Sequence, residues 1–203
     1  MQQKSNRPIL SWRGVDLITL AMLSAALGVA FWGYDSYLYP LVTAVTAAFP
    51  PIAELQLGVW ILPAVLGAVL VRKPGAALFA ELIAANVELL LGNTWGATVL
   101  ISASLQALGI ELIVLFFAYR KFNLWIAVLG GALSSLFEVI YEFYSYVPDY
   151  SITFKAVYLV CGVLSGAIIS GAGGWFLVRA LGATGALNAF AAGRESRAKN
   201  LAS

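Results

Sequence analysis

Histidine is absent from all 203 residues, and cysteine occurs once, at Cys161. The first absence removes HExxH zinc sites, Ser-His-Asp and Cys-His nucleophile pairs and imidazole proton relays. The second excludes an internal disulfide and any multi-cysteine metal site, so Cys161 reads as a small core residue. No GxxxxGK[ST] phosphate loop occurs, which removes that route to ATP hydrolysis. Asp16, Asp35 and Asp149 fall at the ends of apolar stretches, unlike the paired aspartates of an intramembrane protease. Charge itself is scarce, 11% against 61% hydrophobic residues, with a mean hydropathy of +0.87. A chain of that composition must present hydrophobic runs to lipid.

Windows of about 20 residues delimit six apolar stretches, at roughly 15–35, 55–71, 75–92, 97–119, 124–146 and 156–179. They predict an all-α membrane protein, a single integral domain over 1–203 with a polar tail at 188–203. Basic residues test the count, because cytoplasmic loops collect Lys and Arg. Lys4, Arg7 and Arg13 precede the first stretch, Arg72 and Lys73 follow the second, and Arg120 and Lys121 follow the fourth. Arg179, Arg194, Arg197 and Lys199 close the chain. Two stretches separate successive clusters, which predicts six transmembrane helices with both termini cytoplasmic. Lys155 then lies near the outer surface, and Asp35, Glu54 and Asp149 occupy external loops.

Leu38 to Phe49 is apolar but bounded by Pro40, Pro50 and Pro51. As a helix it would reach only about 18 Å, against a hydrocarbon core of about 30 Å. It is read as a hydrophobic external cap or re-entrant element between the first and second spans. The first apolar run is too long for the h-region of a cleavable signal peptide and reads as an anchor. Trp12, Trp32, Trp125 and Trp175 stand near span ends, where interfacial anchors belong.

Five glutamates, Glu81, Glu88, Glu111, Glu138 and Glu142, interrupt these apolar stretches. Each costs about 3 kcal/mol at the middle of a membrane helix, so it faces a partner, a cavity or a substrate. Glu81 and Glu88, seven positions apart, share a helix face with Ala84 and Ala85 between them. Glu138 has Tyr141 and Glu142 as helical neighbours. Depth divides the acids, with Glu88, Glu138 and Glu142 toward the outer ends and Glu81 and Glu111 nearer the cytoplasm. Around the outer set lie Trp32, Tyr34, Tyr37, Asn93, Trp95, Tyr141, Tyr144, Tyr146, Tyr150 and Tyr158. Carboxylates beside aromatic faces suit a bound cation. The alternative readings are an interfacial belt for the aromatics and helix-helix hydrogen bonding for the acids, with Glu142 simply reaching external water.

Arg72-Lys73-Pro74-Gly75-Ala76-Ala77, Glu81, and Glu88-Leu89-Leu90-Leu91-Gly92-Asn93-Thr94-Trp95-Gly96 form a specific pattern. It continues through Leu105-Gln106-Ala107-Leu108-Gly109-Ile110-Glu111 and Tyr119-Arg120-Lys121-Phe122-Asn123 to Arg179-Ala180-Leu181 and Thr184-Gly185-Ala186-Leu187. This pattern resembles the YkoE-type S components of energy-coupling-factor (ECF) transporters. The resemblance implies a substrate-capturing subunit for thiamine or its hydroxymethylpyrimidine precursor, working with a transmembrane coupling protein and two cytoplasmic ATPases. It implies no catalysis and no cofactor, and a home in a bacterial plasma membrane with no nucleic-acid partner. Carried over by position, Glu81, Glu88, Trp95, Gln106, Glu111, Glu138 and Tyr141 become the candidate ligand contacts, with Tyr34, Asn93 and Tyr158 beside them.

Small residues Ala21, Ala25 and Ala26, with Ser24, Gly28 and Ala30 nearby, resemble the AxxxA face on which S components dock. Gly162, Gly166, Ser170 and Gly174 in the last span read as internal close packing instead. Two other classes compete with binding. A self-sufficient secondary transporter would couple the buried acids to protons or sodium, and a membrane enzyme would turn its ligand over.

Overall fold

The computed structural model describes residues 11–200, with side chains through Glu195. Lys4 and Arg7 lie outside the described residues, as do the side chains of Arg197 and Lys199. Among the described residues every regular element is helical. α1 (Gly14–Gly33) passes through a π-helical segment, Tyr34–Leu38, directly into α2 (Tyr39–Val45). This unbroken stretch holds 32 residues, about 48 Å at 1.5 Å per residue, and so outruns a hydrocarbon core. Residue 35 is therefore not the end of the first helix. Leu38 to Val45, expected as a separate cap, continues it with Leu38, Leu41 and Val45 exposed.

A 3₁₀ helix, Pro50–Val59, leads into α3 (Leu62–Val71), and α4 (Ala76–Leu91) follows. A 3₁₀ turn at Gly96–Thr98 opens α5 (Val99–Phe116), and α6 (Leu124–Ser145) comes next. α7 (Ile152–Ser165) and α8 (Gly174–Ala183) are joined by a π-helical segment, Gly166–Gly173, and α9 (Ala191–Asn200) ends the chain. Five stretches are long and apolar enough to cross a membrane: Gly14–Val45, Pro50–Val71, Gly96–Phe116, Leu124–Ser145 and Ile152–Ala183. α4 has 16 residues, about 24 Å of rise, and packs among α1, α3 and α5. α3 is the centre of the bundle, since every residue from Pro63 to Val71 is buried. That accounts for a segment with no polar face.

Close approach between helices rests on small residues, because packing rather than a hydrophobic driving force holds helices together in lipid. Gly131 on α6 lies against the Gly166 backbone, and a Cβ at Gly131 would also meet the Gly171 amide at 2.9 Å. At Gly166 a Cβ would strike the Ser135 side chain and the Gly131 carbonyl. The glycines of the last long helical stretch thus pack inward. So does Gly28, whose Cβ would run into the Ala84 backbone of α4.

Many polar groups in this interior are satisfied by one another, although Ser24 Oγ and Ser135 Oγ are buried without a partner among the described residues. The first turn of a helix leaves its amides without intrahelical partners, and two such amides are capped from a neighbouring helix. Glu81 Oε2 accepts from the Ala64 amide of α3 at 2.7 Å, and Glu111 Oε1 from the Ala77 amide of α4 at 2.9 Å. Helix N-termini favour negative charge, so both acids are remote N-caps. Ser165 Oγ likewise accepts from the Gly58 amide at 2.9 Å and donates to the Leu55 carbonyl at 2.6 Å.

Basic residues gather at one end of the bundle. Asp16, fully buried, is held by Arg13 and Lys73, and Lys73 Nζ also donates to the Ser11 carbonyl at 2.6 Å. Arg72, in the left-handed conformation that ends α3, makes two 2.7 Å hydrogen bonds to Glu195 of α9. Trp12 donates to the Pro74 carbonyl at 3.1 Å, so it is tied to the α3–α4 turn.

Gly131→Ala and Gly166→Ala are expected to lose about 1–3 kcal/mol or more through overpacking, read as lower melting temperatures of the detergent-purified protein. Gly33→Ala, where an added Cβ meets nothing within 4 Å, keeps or raises the melting temperature because alanine is the better helix former.

Candidate functional site

At the end of the bundle away from Arg13, Arg72 and Lys73 lies a cavity of about 430 Å³. Its walls come from α2, the Pro50–Val59 helix, the end of α4, the start of α5, the end of α6 and the start of α7. The alternating directions of these helices bring all of those segments to the same level. Five carboxylates surround it, in two groups, and no lysine or arginine lines it.

The first group is Asp35 and Glu88. Glu88 is 1% exposed and accepts from Asn93 Nδ2 at 3.0 Å, while Asn93 Oδ1 accepts the Gly96 amide at 2.6 Å. Asn93 thereby orients the acid and closes the turn after α4. Gly92 (φ 93°) and Gly96 (φ 62°) supply positive backbone angles on either side of it, conformations that glycine adopts without a Cβ clash. The turn brings Trp95 over the cavity, where it meets Tyr39 at 5.2 Å and Trp60 at 5.9 Å between ring centroids. Trp60 Nε1 donates to Asp35 Oδ1 at 3.1 Å, and Tyr34 stacks edge-on against Trp60 at 5.3 Å. Asp35 is also beside Glu88.

The second group is Glu54, Glu138 and Glu142. Glu138 and Glu142 are one turn apart on α6, and Tyr158 of α7 donates to Glu142 Oε2 at 3.0 Å. Ser102 and Gln106, one turn apart on α5, complete the wall beside Glu138. Tyr146 and Tyr150 line the same region, and Tyr150 meets Tyr158 at 6.0 Å. Asp35 Oδ2, Glu54 Oε1 and Glu138 Oε2 are buried without a hydrogen-bond partner among the described residues. Buried acceptors in that state favour a ligand that brings donors or positive charge.

Of the residues singled out in the sequence, Glu88, Trp95, Gln106, Glu138 and Tyr158 line the cavity together. Tyr34 and Asn93 stand one step behind it, Tyr34 donating to Gln56 Oε1 at 2.9 Å and Asn93 holding Glu88. Glu81 and Glu111 do not reach it, being occupied as remote caps. Glu111 Oε2 also accepts from Tyr119 at 2.5 Å. Tyr119 lies beyond the end of α5, and burial together with that carboxylate pushes its pKa up. Tyr141 turns to another face, against an apolar groove with Leu105, Leu108, Phe137, Ile140 and Tyr144.

Two assignments to external loops are corrected. Asp35 is inside the long first helix and buried, and Glu54 is buried against the cavity. Glu142 likewise lines the cavity rather than simply meeting water. Tyr39, Gln56, Trp60 and Ser102 were not anticipated. Spacing could have found two of them: Tyr39 lies four residues after Asp35 and Ser102 four before Gln106, pairs that share a helix face.

On α1, Ser24 and Gly28 are buried, Ala21 and Ala25 are half-buried, and Ala26 is exposed in line with Ile18, Met22 and Val29.

Comparisons with known proteins bear on the family and the fold. A family model described as "ABC-type cobalt transport system, permease component" matches residues 15–137. The "Putative HMP/thiamine permease protein YkoE" of Bacillus subtilis (strain 168) is 34% identical over 191 residues, 93% of this chain and 94% of that protein. A solved structure described as "Crystal structure of an S-component of ECF transporter" has a TM-score of 0.85 and 32% identity, covering 94% of this chain and 95% of its own. A shared fold and that identity across nearly the whole length place the chain among the YkoE-type S components of ECF transporters, as a transport subunit and not an enzyme.

Proposed function

We propose that this chain captures thiamine, its hydroxymethylpyrimidine precursor, or both, with high affinity at the outer face of a bacterial plasma membrane. A transmembrane coupling protein and two cytoplasmic ATPases would complete the importer and supply ATP hydrolysis. The observation that carries the reading is the cavity of about 430 Å³ bounded by carboxylates and aromatic rings without a basic residue. Its volume falls in the range of small-molecule sites. Carboxylates pair with the donor edge of an aminopyrimidine, and aromatic faces suit both a flat pyrimidine and a thiazolium cation. The name of the B. subtilis relative supports the same ligands. The cobalt in the family description guides the reading less, because no group of three or more His, Cys, Asp or Glu among the described residues is suited to hold a metal ion.

Six transmembrane helices with both termini cytoplasmic fit this function, α4 serving as the short sixth span. The basic end then faces the cytoplasm, as loop charge requires, and the acidic cavity faces out. Glu88, Trp95, Gln106, Glu138 and Tyr158 would touch ligand, with Asn93 positioning Glu88 and Tyr34 holding Gln56 and Trp60 of the same wall. Docking of the coupling protein falls to the outward stripe of α1, in which Ala26 and Ala30 are small residues that let a partner helix come close.

Three experiments test this. Single cysteines at Thr94 and Asp149, in a Cys161→Ala background, are expected to react with an impermeant reagent on intact cells, and one at Lys121 is not; labelling at Lys121 from outside reverses the topology. Glu88→Gln removes a charge-assisted bond worth about 2 kcal/mol, a roughly thirtyfold loss of affinity at about 1.4 kcal/mol per decade, measured by calorimetry. Glu81→Gln should lower the melting temperature more than the affinity, since that carboxylate caps α3. Finally, Ala26→Leu should reduce uptake by the reconstituted complex while ligand binding persists; a parallel collapse of affinity would assign this stripe to internal packing.

A further inference from the structure

The two acidic groups differ in their surroundings, and resting on the thiamine reading above, that difference distinguishes the ligand's two ends. Glu88 is already tied to Asn93, and Asp35 beside it to the Trp60 indole, with Trp95 meeting Trp60 edge to face. This is a slot for a donor-bearing ring, whose two acids are each held on one oxygen by a side-chain donor, with only Asp35 Oδ2 unpartnered among the described residues. Glu54, Glu138 and Glu142 gather beside the phenol rings of Tyr146, Tyr150 and Tyr158. Of their oxygens, Glu54 Oε1 and Glu138 Oε2 are buried without a partner among the described residues. Three acids with tyrosine faces and no cation to balance them favour positive charge and repel an anion. No lysine or arginine among the described residues lines the cavity. Lys155, the nearest in sequence, has its Nζ on the Pro148 carbonyl at 2.9 Å and over the Phe143 ring.

We infer that Glu54 and Glu142 are specificity determinants that read the ligand's cationic end, so that the site selects unphosphorylated thiamine over both neutral hydroxymethylpyrimidine and thiamine phosphate esters. Hydroxymethylpyrimidine fills only the Glu88 slot and forfeits the cation's Coulomb and ring-face attraction. A phosphate ester carries its negative charge on the hydroxyethyl arm of the thiazolium, which delivers it to the three acids. Like-charge juxtaposition of this kind is a strong means of rejection. Glu54 acts here although it follows a Pro-Pro pair in a stretch that reads as an external loop, because the 3₁₀ geometry of Pro50–Val59 turns it inward against α7.

The test is calorimetry of the purified chain with thiamine, hydroxymethylpyrimidine and thiamine monophosphate, repeated on Glu54→Gln. For the parent, hydroxymethylpyrimidine should bind about thirtyfold more weakly than thiamine, and the monophosphate about a hundredfold or more. Glu54→Gln should weaken thiamine, leave hydroxymethylpyrimidine unchanged and narrow the gap between thiamine and its monophosphate by about tenfold. A structural role for Glu54 would weaken all three ligands alike, and that result overturns the proposal. Equal parent affinities for thiamine and either competitor overturn it too, while leaving thiamine capture intact. If none of the three binds the parent, thiamine capture itself fails and this inference falls with it. Should Glu54→Gln not fold, Glu142→Gln makes the same comparison, and the parent series decides by itself if neither variant folds.

Discussion

A bilayer offers no hydrogen bonds, so every polar group this bundle buries must find its partner inside the protein. That constraint sorts the acids. Glu81 and Glu111 answer it at once, since each caps one backbone amide at the start of a neighbouring helix. They are part of how α3 and α4 begin. Asp16 answers it with Arg13 and Lys73. The carboxylates around the cavity answer it only in part, and three of their oxygens remain without partners among the described residues. Ser24 Oγ and Ser135 Oγ are also buried without partners among the described residues, but the unpartnered carboxylate oxygens gather around one cavity, which makes it the candidate place for something else to bind.

Close packing fixes where that incompleteness falls. Glycines at the crossing of α6 with the Gly166–Gly173 segment bring backbones together, and α3 fills the middle with small aliphatic side chains. Toward the other end the elements carry indole and phenol rings, which are too large to interdigitate as closely. Space opens there between α4, α5, α6 and α7. The side chains that reach into it come from helix ends and the turns beside them. Asn93 shows how firmly such a turn is built, bonding forward to Gly96 and back to Glu88.

Charge is segregated along the same axis. Arg13, Arg72 and Lys73 engage acids and carbonyls at one end, with α9 latched there through Arg72 and Glu195. Acids and aromatic rings occupy the other. In general, basic residues at one end hold an orientation in a membrane, and an acidic opening favours a cationic solute.

Composition and periodicity determine the membrane class, the helical content and the bounds of α4 and α6 to within a residue. Each depends on residues near in sequence, or on sums over a window. Expected bounds of 75–92 and 124–146 compare with Ala76–Leu91 and Leu124–Ser145, and the motif from Arg72 to Asn123 carries the family. Tertiary structure alone decided which acids share a cavity. Glu81 and Glu88 lie on one face of one helix, yet Glu81 meets the amide of Ala64 and Glu88 meets the cavity, because different neighbours stand opposite them. Asp35 and Glu54 sit among residues that read as loop, but one lies within an uninterrupted helix and the other on a 3₁₀ turn folded inward. Periodicity states which way a side chain points from its own helix; what it meets there depends on residues distant in the chain, whose approach is set by packing.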